Sequence, residues 1–317
     1  MQSIRHRYVR SSVMSFVAVL FAASCQWAAA AEYVAGRHYF GENKYIEYIA
    51  GDAPVIITAP HAGNLTPAAM PDRTYGTLVT DRNIDRLVLA FAKSFHEMTG
   101  RYPHVVLCHL KRTKLDANRD IEEAAQGNAL AEQAWREWHA FIDAAKEAAV
   151  EQYGCGLYID VHGHGHAAQR LEFGYNITGK HLQLSDAEIV RHRDRSSLRA
   201  LAETADTEFA ALLRGPASFG ALMAARGFPS VPSPEFPDPN GLPYFSGGPN
   251  TRRHACGADN RISGFQLECN FKGVRDTEAN RKRAAAALAE SAIIYLKTHY
   301  GIDMKRTEEV LTAASTN

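Results

Sequence analysis

An excess of charge of either sign is missing from this sequence: 35 lysines and arginines face 35 aspartates and glutamates, a formal net charge of +0. Such a chain has no electrostatic footprint for DNA or RNA. Cysteine is scarce, with five residues and no Cys-x-x-Cys spacing, which argues against a cysteine-ligated zinc site. The 23 glycines and 13 prolines follow no period, so collagen-like and linker-like chains are excluded. No GxSxG elbow, GxxxxGK phosphate loop or GxGxxG fingerprint is present. Beyond the first thirty residues no run approaches the roughly 20 apolar residues that a membrane span needs. What is present is a 317-residue chain, 46% hydrophobic, able to bury the core of one sizeable domain.

The first thirty residues read as a secretory signal peptide. Arg5, Arg7 and Arg10 precede the apolar run Val13–Ala23, and Ala28-Ala29-Ala30-Ala31 offers small residues for cleavage. Cys25 raises the alternative of a lipoprotein signal, which Ala22 disfavours. Export to a periplasmic or extracellular compartment is the expectation, with residues 31–317 as a single, mildly acidic catalytic domain. There Cys108, Cys155, Cys256 and Cys269 could form two disulfides, and Cys256 with Cys269 is the favoured pair across the turn Gly257–Asn260. In a eukaryotic pathway Asn64 and Asn176 would be glycosylation sequons.

Strands and helices alternate along this domain. Tyr45–Ile49, Pro54–Ala59, His104–Leu110, Gly156–Val161 and Arg261–Glu268 read as strands, several apolar enough to be covered on both faces. Helices are expected from Thr80-Asp81 to Gly100, over Asn128–Val150, and over Thr277–Tyr300 as a final amphipathic helix. The implied fold is α/β, a mixed, largely parallel sheet flanked by helices. Residues 181–248, helical at first and then rich in Pro and Gly, read as an excursion over the active face. Ligands in such sheets collect beyond the carboxyl ends of the strands.

Three of those ends carry groups suited to metal-assisted hydrolysis: His61, His162 and Glu268. Two imidazoles can share a zinc ion and leave a position open for water, while a nearby carboxylate moves the proton. Taken singly, each has a plainer reading as a polar loop residue or an ion-pair partner. Asp160, two residues before His162, lies on the same side of the strand and could orient that ring. The loop Asp116-Ala117-Asn118-Arg119 adds an amide and a guanidinium, which suit a substrate carboxylate. Its plainer reading is a solvated arginine paired with Asp120.

Six segments occur in a telling order: Ala59–Gly63, Thr80-Asp81, Asp116–Arg119, Asp160–His162, Gly247–His254 and Gln266–Glu268. Together, over roughly residues 53–298, they resemble the N-formylglutamate amidohydrolase family, which is related to the zinc carboxypeptidases. The resemblance implies Zn2+ on His61 and His162, Glu268 as general acid/base, and Asp116 orienting His61. It places Asn118 and Arg119 on the substrate carboxylate, Arg112 on substrate or oxyanion, and Arg252 and Arg253 in a covering loop. Where the carboxypeptidases have a glutamate ligand this chain has Asn64, so Asn64, Asp81 and His164 all stand as candidates for the third ligand. Asp81 is equally readable as a helix N-cap. Pro249 replaces an aromatic frequent in relatives.

The implied substrate is a small acidic N-acyl amino acid or a short peptide. A carboxypeptidase or peptidoglycan-trimming peptidase is the alternative enzyme, and a metal-poor binding protein the alternative from another class.

Overall fold

Val55-Ile-Ile-Thr-Ala59 and His104-Val-Val-Leu-Cys108 are buried along their whole length, as strands covered on both faces must be. The computed structural model describes residues 33–256 and 261–305, so the signal-peptide reading and the turn at 257–260 lie outside the described residues. Its strands are β1 (His38–Phe40), β2 (Ile46–Ile49), β3 (Val55–Ala59), β4 (His104–Cys108), β5 (Gly156–Gly163), β6 (Leu171–Gly174), β7 (Ser230–Val231) and β8 (Ile262–Cys269). They form one sheet in the order β1-β2-β4-β3-β5-β8-β6-β7. The centre, β4-β3-β5-β8, is parallel, while β1, β2 and β6 run antiparallel to their inner neighbours. The mixed, largely parallel sheet read from sequence is the observed one.

The helices are α1 (Ile84–Thr99), α2 (Ile121–Ala125), α3 (Ala129–Tyr153), the short α4 (Gly179–Leu182), α5 (Asp186–Ile189), α6 (Arg199–Thr204), α7 (Phe209–Arg214) and α8 (Phe219–Ala224), then α9 (Pro249–Ala255) and α10 (Glu278–Tyr295). Local chemistry marks their ends. Asn128 caps α3 by accepting from the Ala131 N–H, and Gly100 and Gly154 close α1 and α3 in the left-handed conformation. The start of α1 differs from expectation: its N-cap is Asn83, so Asp81 is free for another task.

Strand alternation sorts the two faces. Val55, Ile57, Leu157, Ile159, Val161, Phe265 and Leu267 join one aliphatic layer with α1 and α10. Ile56, Val106, Tyr158 and Ile262 face the other way, onto Trp138 and Ile142 of α3. The polar residues near the strand ends share that second parity. Register pairs Thr58 with Asp160 and Asp160 with Gln266, and pairs His162 with Glu268 and Glu268 with Glu172. Two rungs of polar side chains therefore lie on the α3 face.

The stretch 181–248 divides between the faces. Leu198, Leu201, Phe209, Leu212, Phe219 and Met223 join the aliphatic layer beside α10, β7 extends the sheet, and residues from Phe245 onward reach the site. Helix α10 is thereby buried around most of its circumference, from Arg281 and Ala284 to Ser291 and Tyr295, and is not the amphipathic helix expected. Cys108, Cys155, Cys256 and Cys269 are all free thiols. The favoured Cys256–Cys269 pair is not formed: Cys256 Sγ accepts from the Asn176 amide at 2.9 Å, while Cys269 is buried at the end of β8. Among the described residues no helix is long and apolar enough to cross a membrane. Trp138 is fully buried on α3, so Trp138→Ala should cost about 3–5 kcal/mol in urea unfolding; a loss well below 1 kcal/mol would contradict this packing.

Candidate functional site

β3 leads directly into Pro60-His61, and the His61 ring is 2% exposed. Its Nε2 lies 2.6 Å from Asp116 Oδ1. Asp116 also accepts the Asn118 backbone N–H at 3.1 Å and, through Oδ2, both Nε and Nη2 of Arg112 at 2.9 Å. Burial would push the Asp116 carboxyl up, but His61 and Arg112 hold it well below the usual carboxylate range. On β5 the arrangement repeats. His162 Nε2 lies 3.0 Å from Asp160 Oδ2, and the Thr58 hydroxyl donates to Asp160 Oδ1 at 2.6 Å. Each ring thus donates its Nε2 proton to a buried carboxylate, which leaves Nδ1 as a lone pair.

Those two Nδ1 atoms are 3.1 Å apart. Asp81 Oδ2 stands 3.5 Å from the first and 3.4 Å from the second. Asp81 is held there by its own N–H on the His61 carbonyl and by the Gly163 N–H donating to Oδ2, both at 3.0 Å. Three electron-pair donors converge at one point, and a proton on one ring or a bound cation relieves that arrangement. A tetrahedral zinc ion with bonds of about 2.0–2.1 Å sets its ligand atoms about 3.3 Å apart, which matches these separations. Burial opposes charge on His162, yet Asp160, Asp81 and Glu268 hold its pKa well above the ordinary imidazole value. The negative surroundings that favour a proton there favour a metal cation equally.

The geometry groups Asp81 with the two imidazoles, and leaves Asn64 and His164 outside that group. After His61 the chain folds against β4, where Leu65 N–H bonds the His109 carbonyl and Leu65 bridges to Leu110, so Asn64 is turned out to solvent. His164 lies past the end of β5, where alternation no longer holds, and it belongs to a separate group with His166 and Glu172.

A cavity of about 480 Å³ opens over the three donors, lined by Arg112, Asn118, Arg119, Arg252, Gln266 and Glu268 among others. Glu268 is directly across the β5–β8 pairing from His162. Burial first, with Asp81 and Glu172 adding and His162 and Gln266 opposing, pushes its carboxyl up to about 8. Gln266 Nε2 donates to Glu268 Oε1 at 2.8 Å. Gly248 packs on this floor so closely that a Cβ would lie 2.6 Å from Gln266 Oε1 and 2.7 Å from Asn118 Nδ2, which explains the glycine. Asn118 Oδ1 accepts the Asn250 N–H at 2.9 Å, tying the covering segment down.

The three arginines differ in their engagement. Arg112 is committed to Asp116, and Arg119 bonds Glu123 Oε1 at 3.2 Å rather than Asp120. Arg252 ion-pairs with no carboxylate among the described residues. Its neighbour Arg253 does not join it: successive residues of α9 diverge by about 100°, and the Arg253 guanidinium lies over the Trp135 ring, 4.9 Å from its centroid. Several residues escaped the sequence reading. Arg73 is buried and donates to the carbonyls of Thr77, Arg112 and Glu123, bracing the loop that carries Asp116; an isolated loop arginine gives no sign of this. Gln266 was findable, being in phase with Glu268 on the same strand.

Because the folded pKa of His162 lies above its unfolded value, proton binding there stabilises the cation-free protein fully below about pH 6.5 and is lost as pH rises through the folded value. A cation needs Nδ1 unprotonated, so its stabilisation grows over the same range. The Tm difference between zinc-supplemented and metal-stripped protein should widen from about pH 6 to about pH 9; a narrowing gap contradicts ligation through His162. Asp116→Asn should weaken zinc binding by about 10- to 100-fold in chelator competition, and unchanged affinity would remove its orienting role.

No protein-family model matches the chain, and no curated protein does. Solved structures similar to it include the crystal structure of N-formylglutamate amidohydrolase from Ralstonia eutropha JMP134, 14% identical with a TM-score of 0.49, covering 81% of this chain and 99% of that chain. Another is a gene product from Agrobacterium tumefaciens, 13% identical with a TM-score of 0.47, covering 82% of this chain and 98% of that chain.

Proposed function

We propose that this chain is an exported, zinc-dependent amidohydrolase that cleaves an amide standing next to a carboxylate, as the N-formylglutamate amidohydrolase resemblance of its motifs implies. The observation that carries the reading is the meeting of His61 Nδ1, His162 Nδ1 and Asp81 Oδ2 within 3.1–3.5 Å, beside a buried carboxyl in an open cavity. The N-terminal signal pattern supports export.

A zinc ion held by His61, His162 and Asp81 would supply the positive charge that polarises an amide carbonyl and acidifies water. Asp116 and Asp160 keep the two rings in the tautomer and orientation that such an ion requires. Glu268, poised to gain or lose a proton near neutrality, takes the proton from the attacking water and returns it to the departing amine. Gln266 holds that carboxylate in place. Arg252, which ion-pairs with no carboxylate among the described residues, anchors the substrate carboxylate together with Arg119 and the Asn118 amide. Arg112 adds positive charge on the cavity wall where negative charge develops on the carbonyl oxygen. A metal-poor binding protein was suggested by Asn64, and the carboxylate of Asp81 in its stead favours the enzyme. The cavity volume also admits a short peptide, so a carboxypeptidase-like activity is the second reading.

Glu268→Gln tests the assignment with N-formyl-L-glutamate and related acidic amides. The variant should bind zinc as the wild type does and lose about 10²- to 10⁴-fold in kcat. Turnover retained with zinc bound would remove Glu268 from the mechanism.

A further inference from the structure

Beyond the donors and Glu268, the molecule commits a second set of buried polar groups to one exposed ring. Glu172 is fully buried, and its two oxygens tie together two segments far apart in sequence. Oε2 accepts the Phe245 backbone N–H at 2.9 Å, and Oε1 lies 2.9 Å from His166 Nδ1. The His166 ring stacks on the Phe245 ring at 4.7 Å and 12°. The strap continues on either side: the Tyr244 hydroxyl donates to the Phe173 carbonyl at 2.6 Å, and the Asn176 N–H donates to Ser246 at 2.6 Å. Gly174 leaves room for this segment, since a Cβ there would lie 2.8 Å from the Phe245 carbonyl oxygen. Yet the ring so held is 43% exposed and lines the cavity. Burying a carboxylate and exposing a phenyl ring both oppose stability, and folding alone gives no reason to combine them.

Within the cluster His164, His166 and Glu172 three potential metal donors also come together. A cation is poorly served there. His164 Nε2 donates to the Arg170 carbonyl at 2.8 Å, and its Nδ1 accepts the His166 N–H at 3.1 Å, so both nitrogens are engaged. Arg170 lies 3.9 Å from Glu172, and Arg275 donates to the His164 carbonyl. The cluster is built as a mount for Phe245.

Strand order fixes what the mount is for. Across β4-β3-β5-β8-β6 the site presents in turn the loop with Arg112, Asn118 and Arg119, then His61, His162, Glu268, and last the strand that holds Phe245. The cationic wall and the phenyl wall thus flank the reacting centre from opposite sides. We propose that Phe245 is a specificity residue and that the substrate bears an apolar group, aryl or branched alkyl, on the acyl side of the scissile amide, across from its carboxylate. This rests on the amidohydrolase reading.

The experiment compares kcat/KM of the zinc-loaded protein on N-formyl-, N-acetyl- and N-phenylacetyl-L-glutamate, with zinc content and Tm recorded for every variant. The wild type should prefer phenylacetyl over formyl by at least about tenfold, and Phe245→Ala should lower that ratio by about 10- to 100-fold. Phe245→Leu should retain part of the preference, and His166→Ala should reduce it without changing zinc content. A wild-type preference for formyl, or a Phe245→Ala loss equal on all three amides, overturns the proposal while the amidohydrolase reading stands. Two zinc ions per chain would also overturn it, by giving the histidine cluster to a second cation. No turnover of any of the three would overturn the amidohydrolase reading and the proposal with it.

Discussion

Two imidazole rings, each gripped through Nε2 by a buried aspartate, set the character of this protein. The grip fixes the tautomer, and the tautomer aims two lone pairs at one point that a third carboxylate already faces. Everything near the site serves that convergence. Arg112 and Arg73 brace Asp116, Thr58 braces Asp160, and the Gly163 N–H braces Asp81. Such a cluster of electron-pair donors favours a bound positive charge, a proton on His162 at low pH or a metal cation as the pH rises.

The sheet makes this possible through parity. Along β5 and β8, Leu157, Ile159, Val161, Phe265 and Leu267 join the apolar layer under α1 and α10, while toward the carboxyl ends the residues of the other parity are Asp160, His162, Gln266 and Glu268. In parallel register these four fall into two rungs at the carboxyl ends, and antiparallel β6 brings Glu172 beside the second rung. One face of the sheet is thereby apolar throughout, while the other packs on α3 and carries its polar side chains only near the carboxyl ends of the strands.

Much of this was legible in the sequence, for a physical reason: strand ends and alternation are local properties. The strands, the long helices, His61, His162, Glu268 and the pairing of Asp160 with His162 follow from short stretches of chain; the pairing of Asp116 with His61 came only from the resemblance of motifs to a family. The grouping of Asp81 with the two rings did not follow from a short stretch. Asn64 is near His61 in sequence, but the loop after His61 is pulled onto β4, whereas Asp81 returns through a backbone bond to the His61 carbonyl. That return is a long-range fact. Arg252 and Arg253, adjacent in sequence, were separated by helical geometry. The mount under Phe245 draws on β6, the loop after β5 and the segment before α9, which no local pattern connects.

The central claim is that one cation site is made by two Nδ1 atoms and the Asp81 carboxylate. An anomalous difference map at the zinc absorption edge, from crystals grown with zinc, tests it directly. The account predicts a single peak per chain within about 2.0–2.2 Å of His61 Nδ1, His162 Nδ1 and Asp81 Oδ2. A peak bound through either Nε2, or one seated at Asn64 or at the His164–His166–Glu172 cluster in its place, would contradict it.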